Sequence, residues 1–129
     1  MIAIVDDDEF VCESAKALVE SLGYEALAFS SAEDFLQSDH LHTASCLITD
    51  VQMPGQSGLD LLEHLTRRGF HIPAIVVSAF LNEKNCGRAL KAGALGCLPK
   101  PYREESLIEY LEAALGCRES RPRNDKPRN

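Results

Sequence analysis

What this sequence lacks sets the first bounds on it. No apolar run exceeds a few residues, far short of the ~20 that a bilayer-spanning helix needs, so no transmembrane segment is expected. No charged region followed by an apolar stretch and a small-residue cleavage site leads the chain, so nothing reads as a secretory signal and the cytoplasm is the expected compartment. Cysteine occurs at positions 12, 46, 86, 97 and 117 but never as C-x-x-C, and His40, His42, His64 and His71 form no H-x-x-x-H set. Zinc sites and disulfide frameworks need closer or more regular spacing. The cysteines therefore read as reduced, small apolar residues, and the histidines as surface residues. Basic side chains are also scarce: residues 1–116 hold 8 of them against 18 acidic ones. An acidic body of that kind argues against direct nucleic-acid binding by this domain. Residues 117–129, "CRESRPRNDKPRN", reverse the balance with five basic and two acidic side chains. Punctuated by Pro122 and Pro127 and without apolar periodicity, they read as a basic tail or linker outside the domain proper.

What is present alternates strictly. "IAIV" is a strand-length apolar run followed by acids able to cap a helix, and Phe10, Val11, Ser14, Ala15, Leu18, Val19 and Leu22 then keep helical spacing up to Gly23. "YEALAF" reads as a second strand, and "SSAEDFL" as a short helix with Ser30 and Glu33 at capping-box spacing. "SCLIT" is a third strand ending at Asp50, followed by the loop "VQMPGQSG" and a helix carrying Leu59, Leu62 and Leu65 that stops at Gly69. "PAIVVSA" is a fourth strand, Glu83 to about Ala92 a helix closed by Gly93, "GCLP" a short fifth strand, and "EESLIEYLEAAL" a last helix closed by Gly116. Five β–α units whose strands are too apolar for a wet face predict one α/β domain over residues 1–116, a doubly wound parallel sheet with helices on both faces.

In such sheets ligands bind outside the carboxyl ends of the strands. The residues there are Asp6 and Asp7 after the first strand, Asp50 after the third, Ser78 closing the fourth and Lys100 after the fifth. Adjacent carboxylates repel by roughly 4 kcal/mol per close pair at an effective dielectric of 20. If the first and third strands are neighbours, Asp7 and Asp50 can share a hard divalent cation, with Mg²⁺ favoured and Mn²⁺ the substitute. A cation, an ammonium and a hydroxyl around an aspartate suit a transferring phosphoryl group, with the central Asp50 as nucleophile. Taken singly, each of these residues is equally consistent with a helix cap, a turn lysine or an ordinary strand end.

Their joint order settles more. "VDDD", "LITDVQMPGQSG", "IVVSA" and "LPKPY" resemble the receiver domain of two-component response regulators across residues 1–116, with 43 residues from Asp7 to Asp50, 8 from Asp50 to Gly58 and 22 from Ser78 to Lys100. The resemblance implies a flavodoxin-like sheet of strand order 2-1-3-4-5. It implies that Asp50 is the phosphoacceptor, Asp7 a direct Mg²⁺ ligand and Asp6 a ligand through water, and that the Gln52 backbone carbonyl completes the metal shell. Ser78 matches the hydroxyl that contacts the phosphoryl oxygens and Lys100 the lysine that pairs with the phosphate. Met53, Pro54 and Gly58 match the loop flanking the acceptor, and Pro101 a proline whose peptide bond is usually cis in this family. Asp8 and Glu9 match no chemical role and read as first-turn acids favourable to the helix dipole.

The implied function is a signalling receiver that catalyses only its own phosphorylation and dephosphorylation. A histidine kinase or phosphotransfer protein is the donor, and a C-terminal output domain, most plausibly DNA-binding, or a homodimer is the responder. One position departs from the family: a Phe or Tyr is usual three residues before the lysine, and here stands Cys97. The switch segment is Ser78, Ala79, Phe80 and Cys97, with Phe80 or Tyr102 the candidates to replace the missing ring, and redox chemistry at Cys97 would require an exposed thiol of low pKa. A receiver that works without phosphate stays open on the same ground. A Mg²⁺-dependent phosphatase of the haloacid-dehalogenase kind would need D-x-D-x-[TV], where "DDDEF" ends in Phe10, and a flavodoxin-like cofactor binder would need a phosphate loop where this chain has carboxylates.

Overall fold

The computed structural model describes residues 1–53 and 55–119, with side chains to residue 116. In chain order the elements are β1 (Ile2–Val5), α1 (Glu9–Ser21), β2 (Ala26–Phe29), α2 (Ala32–Leu36), a 3₁₀ turn over Asp39–His42, β3 (Cys46–Asp50), α3 (Gly58–Arg67), β4 (Ala74–Ser78), α4 (Glu83–Lys91), β5 (Ala94–Pro99) and α5 (Glu104–Glu119). All strands are parallel, in the order β2-β1-β3-β4-β5. The expected fold class and strand order are both found.

Every residue of β1, β3 and β4 is buried, because helices cover both faces of the sheet. Alternation along the strands sorts the core into two layers. Ala3, Val5, Leu47 and Val76 pack with Phe35, Leu59, Leu62 and Leu65 on the α2/α3/α4 side. Ile2, Ile4, Ile48, Ile75 and Val77 pack with Cys12, Ala15, Val19, Leu107 and Leu111 on the α1/α5 side. Each of the Val, Leu, Ile and Phe side chains among them contributes about 1.5–3 kcal/mol relative to exposure.

Several local readings need correction. The buried stripe of α1 is Cys12, Ala15 and Val19, whereas Phe10 is 81% exposed. The helix is rotated so that small side chains meet the sheet at close range, and apolar spacing alone could not distinguish that stripe from the one through Phe10. Asp8 is the N-cap of α1, its carboxylate accepting from the Phe10 and Val11 amides. The cap of α2 is Ser31 rather than Ser30: Ser31 Oγ accepts from the Asp34 amide, while Ser30 Oγ donates to the Asp34 carboxylate. The last helix passes through Gly116 to Glu119, because Gly lowers helix propensity without forbidding the conformation. The tail expected over residues 117–129 otherwise lies outside the described residues.

Candidate functional site

The parallel register places the carboxyl ends of β1, β3, β4 and β5 on one edge. Val5 pairs with Thr49, Asp50 with Val77 and Ser78 with Pro99. Chain order reverses between β1 and β3, and the crevice of a doubly wound sheet opens there. Asp6, Asp7 and Asp50 meet in it, each offering a carboxylate oxygen within 4.8 Å of the others.

Asp6 is 2% exposed and heavily engaged. One oxygen accepts from the Asp8 amide at 2.9 Å and the other from Lys100 Nζ at 2.9 Å. Asp50 is 7% exposed, accepts from the Val51 amide at 2.9 Å, and lies 3.5 Å from the same ammonium. Lys100 thus crosses from the edge strand past β4 to reach both carboxylates, as the length of its stem allows. Asp7 remains exposed at the rim. Burial first, and then the neighbouring Asp6, pushes the Asp50 carboxyl above its ordinary range, with Lys100 pulling the other way. Burial works against the Lys100 ammonium too, but the hydrogen bond and charge of Asp6, together with Asp50, outweigh it and raise its pKa.

Three carboxylates against one ammonium leave two negative charges unmatched in the crevice. An all-oxygen donor set with that deficit fits a hard divalent cation such as Mg²⁺ or Mn²⁺. Gln52 is exposed on the loop directly after Asp50. Met53 is buried beneath that loop, and Pro54 lies outside the described residues. Gly58 is buried against the acceptor strand, and a Cβ there would collide with the Asp50 carbonyl oxygen. Its own amide bonds to the Val51 carbonyl at 3.0 Å.

Ser78 is 1% exposed, its Oγ accepting from the Phe80 amide at 3.1 Å and its carbonyl from the Lys100 amide at 2.8 Å. Ala79 and Phe80 follow on the surface, with Phe80 67% exposed, and the Lys100–Pro101 bond is cis. Tyr102 packs on the α1/α5 layer whereas Cys97 packs on the other, so the two lie on opposite sides of the sheet.

Sequence reasoning passed over two supports of this edge. Glu33 of α2 accepts from the Gln56 amide at 3.0 Å and so ties down the loop after Asp50. Arg88 of α4 makes paired 2.8 Å bonds to Glu63 and a 2.9 Å bond to Asp60 on α3. Neither carries a local motif, since each works across 23 to 28 residues of chain. Charge on a helix face was the available hint.

The fold and the crevice define a doubly wound α/β protein with an acidic, cation-competent site at its topological switch point. Residues 2–112 match the family model described as the response regulator receiver domain, and the chain belongs to that family. It is 42% identical over 115 residues to response regulator protein TodT of Pseudomonas putida, covering 89% of this chain and 51% of that protein. It is 39% identical over 114 residues to transcriptional regulatory protein TdiR of Thauera aromatica, covering 88% and 50%. The chain thus spans about half the length of these curated relatives. Among solved structures, a response regulator receiver domain protein from Clostridium thermocellum superposes with a TM-score of 0.85 at 27% identity, covering 92% of this chain and 96% of that one. Response regulator StyR superposes with the same TM-score at 36% identity, covering 92% and 60%. Among the described residues no helix is long and apolar enough to cross a membrane.

Proposed function

We propose that Asp50 accepts a phosphoryl group from a phosphohistidine of a histidine kinase or phosphotransfer protein, and that the resulting charge switches a partner surface. The observation that carries this reading is the position of Asp50: a buried carboxylate at the switch point, between an acidic pair and an ammonium. In the transfer an Asp50 oxygen forms the new bond to phosphorus as the histidine nitrogen–phosphorus bond breaks. Asp7 and Asp50, with the Gln52 carbonyl and Asp6 through water, would hold Mg²⁺, which supplies neutralising charge to the phosphoryl oxygens. Lys100 contributes a second positive charge, released in part from Asp6 when the phosphoryl group arrives. Ser78 Oγ, now an acceptor for the Phe80 amide, turns its own hydrogen toward a phosphoryl oxygen. Where the Ser78 side chain also turns so that Oγ itself shifts toward the phosphoryl group, the Phe80 amide is freed and the segment from Ser78 to Phe80 moves, which is how charge at Asp50 becomes shape at the surface.

The relatives support a transcriptional output. The matched segment is about half of TodT and of TdiR, and TdiR is a transcriptional regulator by name. On this reading the receiver controls transcription through an output domain that binds DNA, while this acidic domain makes no contact with DNA itself. Incubation with acetyl phosphate and Mg²⁺, followed by intact mass, tests the central step. One phosphate adduct is expected, absent in Asp50→Asn and absent with excess chelator. A wild-type chain that takes no adduct would transfer the reading to a phosphate-independent receiver.

A further inference from the structure

Cys97 stands where the receiver resemblance leads one to expect an aromatic ring, and its sulfur lies 2.7 Å from that of Cys86. Cys86 is in the first half of α4 and Cys97 in β5, so the pair spans the helix–strand contact on the α3/α4 side of the sheet. Both are free thiols, and both are half-buried. A disulfide bond is about 2.05 Å long, so the two sulfurs are roughly 0.7 Å from bonding distance. Cys97 Sγ also approaches the Cys86 carbonyl at 3.9 Å, which holds the two residues face to face. The other two described cysteines are arranged differently. Cys12 and Cys46 are fully buried in the opposite layer, and Cys12 donates to the Asp6 carbonyl instead of meeting another sulfur.

We propose that Cys86 and Cys97 form a dithiol site that a hydroperoxide converts to an intramolecular disulfide, joining α4 covalently to β5. The Cys86 thiolate attacks one peroxide oxygen, breaking the O–O bond and giving Cys86 sulfenic acid and water from hydrogen peroxide. The Cys97 sulfur then attacks the Cys86 sulfur, the S–O bond breaks, and the Cys97 proton leaves with the hydroxyl as a second water. Two thiols are oxidised and one peroxide is reduced. The step is symmetric in the two sulfurs, so Cys97 can equally take the peroxide oxygen and Cys86 resolve; burial, and then the adjacent Cys86, pushes the Cys97 thiol up. The resolving thiol needs proximity, which the 2.7 Å approach supplies. The consequence for signalling rests on the proposed function, since the bond would fix α4 against the strand that precedes Lys100. Formation of the bond does not depend on it.

The test is peptide mapping of the whole chain after treatment with hydrogen peroxide, alkylation of remaining thiols and trypsin digestion. Cleavage after Lys84, Arg88, Lys91 and Arg103 separates residues 85–88 from residues 92–103. A linked pair of these peptides, two hydrogens lighter than their sum and split by reductant, is expected in most of the monomeric chain. It should vanish in Cys86→Ser and in Cys97→Ser, and persist in Cys12→Ala, Cys117→Ser and Asp50→Asn. Alkylation of Cys86 and Cys97 as separate thiols after peroxide would overturn the proposal, as would a link found only between chains or a Cys86 that proceeds to sulfinic acid beside a free Cys97. Persistence of the link in Asp50→Asn separates the two readings. Failure of acetyl phosphate to add to Asp50 leaves the disulfide standing, and absence of the disulfide leaves Asp50 chemistry standing.

Discussion

At the scale of single residues, Asp50 is held at a cost. Its carboxyl pKa is raised in the fold, by burial first and by Asp6 second, so the folded chain binds a proton there more readily than the unfolded chain does. That group's stabilising contribution is full below its unfolded value, near 3.9, and is lost as pH rises through the raised folded value. Asp50→Asn is therefore expected to melt higher than wild type at pH 7, with the gap closing as pH falls toward about 4. Each kcal/mol gained should appear as roughly 4 °C in a domain of this size. Equal melting temperatures for the two proteins across that pH range would refute the account. Phe80 offers a second residue-scale test. Its ring is exposed two residues beyond Ser78, and a ring that shields a phosphorylated Asp50 from water predicts that Phe80→Glu shortens the half-life of the phosphorylated chain several-fold. An unchanged half-life would show that the ring does not shield the site.

At the scale of elements, contacts between secondary structures carry information that no single segment holds. Gly96 in β5 lies under the ring of Tyr110 from α5, and a Cβ at Gly96 would collide with that ring. Gly96→Ala should cost about 1–3 kcal/mol by overpacking, and much of that loss should return when Tyr110 is also trimmed to Leu, a coupling that a double-mutant cycle measures. Arg88 bridges α4 to Glu63 and Asp60 of α3 in the open, so Arg88→Met should cost only about 0.5–1 kcal/mol, and less at 1 M salt. Urea melts at two salt concentrations check both statements. These cross-element contacts mark where reading from sequence ends. The alternation of apolar strands with amphipathic helices made the sheet legible, and residues placed at strand ends made Asp50, Asp6, Asp7, Ser78 and Lys100 legible together. The rotation of α1 was not legible, because Phe10 and Cys12 both satisfy a helical period and only packing against the sheet chooses between them. Cys86 was not legible either: it has meaning only once α4 is laid against Cys97.

At the scale of the whole molecule, unmatched charge in one crevice would couple folding to any cation bound there. Because only the folded chain brings Asp6, Asp7 and Asp50 together, any cation they hold adds RT ln(1 + [L]/Kd), about 2.7 kcal/mol at a hundredfold excess over Kd. Mg²⁺ should therefore raise the melting temperature of wild type, do so far less in Asp7→Asn, and be reversed by chelator. A melt indifferent to Mg²⁺ would remove the cation from the account. The helices around the sheet are not equally anchored. α3 buries five residues, Gly58, Leu59, Leu61, Leu62 and Leu65, whereas α4 buries Ala89 alone among its nine. Less apolar area has to be returned to water for α4 to detach than for α3, so α4 should leave the sheet more readily than α3. Amide hydrogens of α4 should exchange with deuterium well before those of α3. A signal routed through α4 would then meet a smaller free-energy gap than one routed through α3, and one added charge would have correspondingly less work to do.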